Sequence, residues 1–231
     1  MRLDKFLCDA LGVTRKEATK LLKSCEIEVD GSVEKKGATK LSDDNEVMWQ
    51  NRELVLSGPR YIMLYKPQGF VCTRVDDYND TAFLLLDEVN DKDLHFAGRL
   101  DADTTGLVLV TDDGQWSHRI TSPKHKCDKT YRVWLADPVQ DNYVQAFQEG
   151  IELRNERENT LPAELEVIDE QEVLLTIHEG KYHQVKRMFA ALGNKVVGLH
   201  RERIGDIVLD QDLEPGEYRY LTEDEIASVW K

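Results

Sequence analysis

The sequence predicts an α+β protein: a mixed, mainly antiparallel β-sheet with flanking helices, preceded by a small N-terminal unit of two helices and a hairpin. Three observations lead there. Apolar runs such as YIMLYK, GLVLVT, KTYRVWL and EVLLTIHEG recur after Pro59, each of strand length. They are joined by short turns and not by the long helical crossovers that a parallel sheet requires. Between Asn51 and Pro59 the periodicity dissolves, and Ser57-Gly58-Pro59 reads as a linker. Residues 1–57 and 58–231 are therefore expected to form separate domains.

Taken in order, Leu3, Phe6, Leu7 and Leu11 follow helical spacing, and Gly12 ends that helix. Thr14 and Glu17 form a capping-box pattern that opens a second helix, with Ala18, Leu21 and Leu22 on its apolar side. IEVDGSVEK alternates about Asp30-Gly31, a hairpin signal, and NEVMW adds a short strand. Beyond Pro59 the strands are YIMLYK, FVC, LHFAG, GLVLVT, KTYRVWL, AELEVI and EVLLTIHEG. Helices are expected near residues 114–121, 139–149, 183–192 and 222–230, the last behind a Thr222-x-x-Glu225 box. Asp112-Asp113-Gly114 reads as a hairpin turn.

Composition bounds the chemistry. With 41% apolar and 32% charged residues, the 231-residue chain can bury a core, and its apolar runs are too short to span a bilayer, so no membrane partner is expected. The first twelve residues carry acids inside an amphipathic pattern and read as a helix, not a signal peptide. Cys8, Cys25, Cys72 and Cys127 are far apart with no C-x-x-C pair, which argues against a zinc ribbon and for reduced thiols in the cytoplasm. The net charge of −14 is unevenly spread: residues 137–179 carry −10 and residues 206–231 carry −6. Residues 114–136 hold 5 bases against 1 acid, and residues 180–205 hold 6 against 1. Two basic zones on an acidic body can form one anion-binding face.

The stretch AGRLDADTTGLVLVTDDG places Asp101 and Asp103 just before an apolar strand. A D-x-D-x-T string can be a phosphoryl-transfer site with magnesium, but there the strand runs into the first aspartate, whereas here it follows the pair. A glycosidase needs carboxylates on both sides of a sugar bond, and no second acid of that kind is identifiable. The third possibility is a carboxylate that acts directly on a substrate carbon.

GRLDADTTGL closely resembles the central motif of the pseudouridine synthases, G-R-L-D-x-x-T-[ST]-G-L. YKPQGFVC resembles the motif that opens their catalytic domain, and DKTYRV resembles the segment that bears a site tyrosine. EGKYHQVKRMFAALGN and VVGLHRERIG resemble the closing basic helix and strand, in the form typical of the RsuA branch. The resemblance implies isomerisation of a specific uridine in 16S small-subunit ribosomal RNA, by a monomer acting on that RNA or on an assembling small subunit. No cofactor and no metal are implied. Asp101 would be the catalytic carboxylate, Lys186 its cationic partner with Arg187 close behind, and Tyr131 the ring that stacks on the base. Arg99 and His183 would contact the flipped nucleotide, Ile204 would close the apolar side of the uracil pocket, and Lys66 would be structural or reach a phosphate. His200, Arg201 and Arg203 would meet phosphates. Asp103 receives no catalytic role.

The N-terminal unit resembles an S4 RNA-binding domain through RLDKFL, TRKEATKLLK and IEVDG. Carried over by position, Arg2, Lys5, Arg15, Lys16, Lys20 and Lys23 would present cations to RNA. Cys25-Glu26 and Asp30 depart from the family's usual glycine and asparagine, and residues 1–57 sum to −1, so an auxiliary contact is expected. Two other functions stay open at this point: a non-catalytic RNA-binding ribosome-assembly factor, and a magnesium-dependent phosphatase.

Overall fold

The computed structural model describes all residues except 43, 56–57 and 89–90. The chain divides into two compact units, Met1–Gly58 and Pro59–Lys231. Ser57, part of the expected linker, lies outside the described residues.

In the first unit, α1 (Leu3–Leu11) ends at Gly12, whose φ of 62° is the left-handed conformation glycine adopts without a Cβ penalty. Next comes α2 (Arg15–Lys23), and the Thr14 hydroxyl accepts from the Glu17 amide while the Glu17 carboxylate accepts from the Thr14 amide. Strands β1 (Ile27–Val29), β2 (Ser32–Val33), β3 (Val47–Trp49) and β4 (Arg52–Glu53) form a sheet in the order β2-β1-β3-β4. The β1–β2 turn has positive φ at both Asp30 and Gly31, as a two-residue hairpin turn of this hand requires. Leu3, Leu7, Ala18, Leu22, Ile27 and Val47 close its core.

The second unit holds β5 (Tyr61–Lys66), β6 (Phe70–Val71), β7 (Asp80–Thr81), β8 (His95–Phe96) and β9 (Thr105–Thr111). There follow α3 (Gly114–Thr121), β10 (Lys129–Leu135), α4 (Tyr143–Glu149), β11 (Glu164–Asp169), β12 (Glu172–Ile177) and α5 (Gln184–Ala191). The chain closes with β13 (Val196–Ile204), β14 (Ile207–Val208), β15 (Tyr218–Tyr220) and α6 (Glu223–Ser228). The main sheet runs β11-β12-β10-β13-β9-β5-β15, with β8 on β9 and β14 on β13. All its pairings are antiparallel except β13 with β9.

The middle strands are covered on both faces, and alternate residues feed two cores. Val108 and Val110 join Val133, Phe147 and Phe189 under α4 and α5. Leu107 and Leu109 join Trp116, Ile120 and Ile207 under α3. Strand residues point alternately to opposite faces, so β9, apolar from Gly106 to Val110, serves both.

The expected turn at Asp112-Asp113-Gly114 is corrected by the structure. Asp113 is the N-cap of α3, its carboxylate accepting from the Gln115 and Trp116 amides at 2.9 and 3.1 Å. Asp112 accepts from the Arg60 backbone amide and guanidinium. The helix expected near residues 114–121 therefore starts directly at Asp113, with no separate turn between it and β9.

Candidate active site

The parallel pairing of β9 with β13 positions the site. His200 lies opposite Thr105 and Arg201 opposite Gly106. The strands are in close contact here: a Cβ on Gly106 would stand 2.3 Å from the Arg201 carbonyl oxygen, and Gly106 has φ +105°. Only glycine fits. The loop that feeds β9, carrying Asp101 and Asp103, is thereby held beside β13 and the next strand out, β10.

Arg201 secures that loop from beneath. Its side chain is buried, with Nε donating to the Leu107 carbonyl at 2.8 Å and Nη2 to the Gly98 carbonyl at 3.2 Å. Nη1 donates to the Arg99 carbonyl at 3.4 Å and to the Tyr131 hydroxyl at 3.3 Å. A planar guanidinium presents five donors in fixed directions, so one side chain orients both the loop and the tyrosine. The expectation that Arg201 meets phosphate is thus corrected. The signal was present in β13: Leu199 and Arg201 are two apart and both turn inward.

Above the loop, α5 supplies the cation. Lys186 Nζ donates to Asp101 Oδ2 at 2.9 Å and to Asp103 Oδ1 at 2.6 Å. His183 Nε2 lies 3.3 Å from Asp101 Oδ1, so each oxygen of Asp101 has its own partner. Burial alone would lower the Lys186 ammonium, but its hydrogen bonds to Asp103 and Asp101 outweigh that and hold it above the ordinary lysine value. Burial likewise opposes ionisation of Asp103, and Lys186 overrides it, leaving that carboxyl below its usual range. Asp103, given no catalytic role from the sequence, is the second claimant on one ammonium.

These groups face a cleft of about 640 Å³. Its walls include Arg99, Asp101, Tyr131, His183 and Lys186, with Ile177, Val185 and Leu199 as apolar surface. Tyr131 is buried on β10, and its ring also lies 5.8 Å from the Arg201 guanidinium carbon. Arg99 is exposed and makes no ion pair among the described residues.

Three sequence expectations are corrected here. Ile204 is buried in the core under α3, beside Met63 and Leu107, and is not part of the cleft wall. Lys66 is wholly buried and donates to the Pro67 and Phe70 carbonyls at 2.9 and 2.8 Å, so no phosphate reaches it. Burial pushes its ammonium below the ordinary lysine value. Arg187, one residue past Lys186, projects to another side of the helix, because successive helical residues do not share a face. It pairs with Glu156 at 2.9 Å and donates to the Arg154 and Tyr182 carbonyls.

The pair Asp101–Asp103 does not resemble a magnesium site. Both carboxylates converge on an ammonium, and a divalent cation in that place would meet a like charge. In the N-terminal unit the candidate cations are all exposed. Arg2 is paired with Asp4 at 2.6 Å and Lys5 with Asp9 at 2.8 Å, whereas Arg15, Lys16, Lys20 and Lys23 lie on or beside the solvent side of α2.

A sequence profile described as RNA pseudouridylate synthase matches residues 60–191. Over 231 residues, all of each chain, the protein is 74% identical to the ribosomal small subunit pseudouridine synthase A of Vibrio cholerae. It is 56% identical to the protein of that name from Escherichia coli strain K12, over 99% of this chain and 100% of the other. A crystal structure of a pseudouridylate synthase superposes with a TM-score of 0.72 at 55% identity, covering 99% of both chains.

Proposed function

The chain belongs to the RNA pseudouridylate synthase family, and from that premise we infer that it isomerises a uridine of small-subunit ribosomal RNA to pseudouridine at the cleft of Asp101. The proposed substrate is 16S ribosomal RNA, free or in an assembling subunit, met by a monomer in the cytoplasm. The proposed catalytic group is the Asp101 carboxylate. The N-terminal unit is proposed as an S4-like RNA-binding domain.

The reaction breaks the N1–C1′ bond of a uridine, turns the uracil, and joins C5 to C1′; the proton on C5 leaves to solvent and N1 takes one up, so the product is an isomer. Nothing is oxidised or reduced. The protein must therefore extrude the nucleotide, keep a carboxylate anionic against the sugar or ring, and stop the loosened base from escaping. Unstacking the base costs a few kcal/mol. The cleft supports recovery of that cost through Tyr131, whose aromatic surface is worth roughly 1–3 kcal/mol to a base stacked on it. The apolar wall of Ile177, Val185 and Leu199 suits a flat heterocycle that must rotate, because it offers contact without directional bonds.

The observation that carries this reading is the 2.9 Å contact between Lys186 and Asp101 at the wall of the cleft. An anion moved out of water is costly unless paired. The ammonium and His183 supply that pairing at a side chain still 31% exposed, which leaves it open to substrate. Arg99, exposed in the cleft wall and without an ion pair among the described residues, is the proposed first phosphate contact.

Asp101→Asn should abolish tritium release from 5-tritiated uridine in a 16S transcript while circular dichroism shows the fold intact. Turnover at the parent rate would refute the assignment. RNA binding by the parent protein without any isomerisation would favour an assembly factor instead.

A further inference from the structure

Tyr182 stands out at the mouth of the cleft because it is both exposed and fixed. The residue is 73% exposed. One face stacks on His183, with ring centroids 3.8 Å apart and planes 22° from parallel. His183 in turn reaches Asp101 at 3.3 Å. The backbone is held too: Arg187 donates to the Tyr182 carbonyl at 3.1 Å, and the Lys181 amide donates to the buried Gln184 side chain at 2.8 Å. His183 has φ 48°, the left-handed region that non-glycine residues rarely occupy. That conformation turns Tyr182 out from the start of α5, which begins at the next residue.

We propose that Tyr182 is a stacking platform for an RNA base next to the extruded uridine, received on the ring face that His183 does not cover. The inference rests on the proposed isomerase reading and adds a second base-binding subsite to it. Extruding one nucleotide leaves its neighbour with an unstacked face. A rigid aromatic ring beside the cleft covers such a face at little entropic cost, because the turn is already ordered. Every base has a π-face, so the subsite fixes register and tolerates sequence. Through His183 the same ring braces the side chain that touches the catalytic carboxylate. Docking of the flanking base and placement of Asp101 are thus joined through one stacked pair and the His183–Asp101 contact. The surroundings suit RNA: Arg99 is exposed in the same cleft wall, and Lys186 and His183 face it.

The test compares Tyr182→Phe, Tyr182→Trp, Tyr182→Leu and Tyr182→Ala in the full chain. Tritium release gives KM and kcat on a 16S transcript, and filter binding gives Kd for the same RNA across a salt series. The flat-ringed Phe and Trp variants should match the parent. Ala and Leu should raise KM and Kd by about 5- to 150-fold, the range expected for one lost base stack. Their slope of log Kd against log salt should stay unchanged, since no phosphate contact is removed. Because Kd needs no turnover, an affinity loss in Ala but not Phe supports the platform even if the parent releases no tritium, an outcome that would sink only the isomerase reading. A fall in kcat with KM and Kd unchanged would overturn the proposal, because the ring would then serve His183 alone. A defect on ribonucleoprotein but not on naked RNA would also overturn it, in favour of a protein contact.

Discussion

Lys186 holds two carboxylates of unequal exposure, 31% for Asp101 and 62% for Asp103. An exposed pair is worth about 0–1 kcal/mol, whereas a desolvated carboxylate that loses its partner costs more. The two contacts should therefore separate on mutation. Lys186→Met leaves Asp101 with His183 as its remaining ion-pair partner among the described residues, and kcat should fall about 30-fold, equivalent to about 2 kcal/mol. Lys186→Arg keeps the charge and should recover most of that loss. Asp103→Asn removes only the more exposed contact, and turnover should stay within about five-fold. Single-turnover tritium release measures all three, and parent-like rates in Lys186→Met would show that the ammonium is not what supports the carboxylate. Sequence motifs led to Asp101, Tyr131, Lys186 and His183, all of which the fold brings to one cleft wall. They misled at Arg187 and Ile204, because adjacency in a motif does not say which side of its element a residue occupies, and left Lys66 open between a structural role, which it has, and a phosphate contact, which it does not.

At the level of elements, the decisive contact is the parallel seam between β9 and β13. The apolar run marked β9 and the family resemblance marked β13, but neither reports their pairing, since side-chain alternation is identical for parallel and antiparallel neighbours. Gly106 is where the seam is closest. Gly106→Ala would place a methyl 2.3 Å from a backbone oxygen at a φ of +105°, and backbone cannot swing aside as a side chain does. The variant should lose about 3 kcal/mol of stability. Urea titration checks this, and an unchanged midpoint would mean the strands separate there at no cost. The capping boxes at Thr14 and Thr222 were legible because their bonds close within four residues. The Asp113 cap was not, because Asp-Asp-Gly is equally good chemistry for a turn. What decided it was Arg60, 52 residues away, which took up Asp112.

For the whole molecule, the uneven charge is the main clue to how an acidic protein approaches a polyanion. The segments 137–179 and 206–231 carry the excess acid, while the cleft wall presents Arg99, His183 and Lys186. Local field and not net charge governs such an encounter. Lys16, Lys20 and Lys23, all exposed, are the proposed auxiliary grip of the N-terminal unit. Replacing the three with glutamine should weaken RNA binding and reduce the slope of log Kd against log salt by up to about 2, at roughly 0.7 per contact on single-stranded RNA. The value of kcat at saturating RNA should not change. Filter binding at several salt concentrations and steady-state tritium release give the two answers, and an unaltered slope would remove the unit from the RNA interface.

The sequence alone determined the α+β class, most of the helices and longer strands and the acidic loop ahead of β9, because each is written in contacts or periodicities a few residues long. Tertiary structure decided what that loop does. Lys186 meets Asp101 across 85 residues, Arg201 is buried beneath the loop instead of facing RNA, and Tyr182 is left outside against His183. Such meetings depend on which strands pair and which side of α5 faces the sheet. Neither is encoded by the local pattern; both are set by the packing of two cores on opposite faces of one sheet.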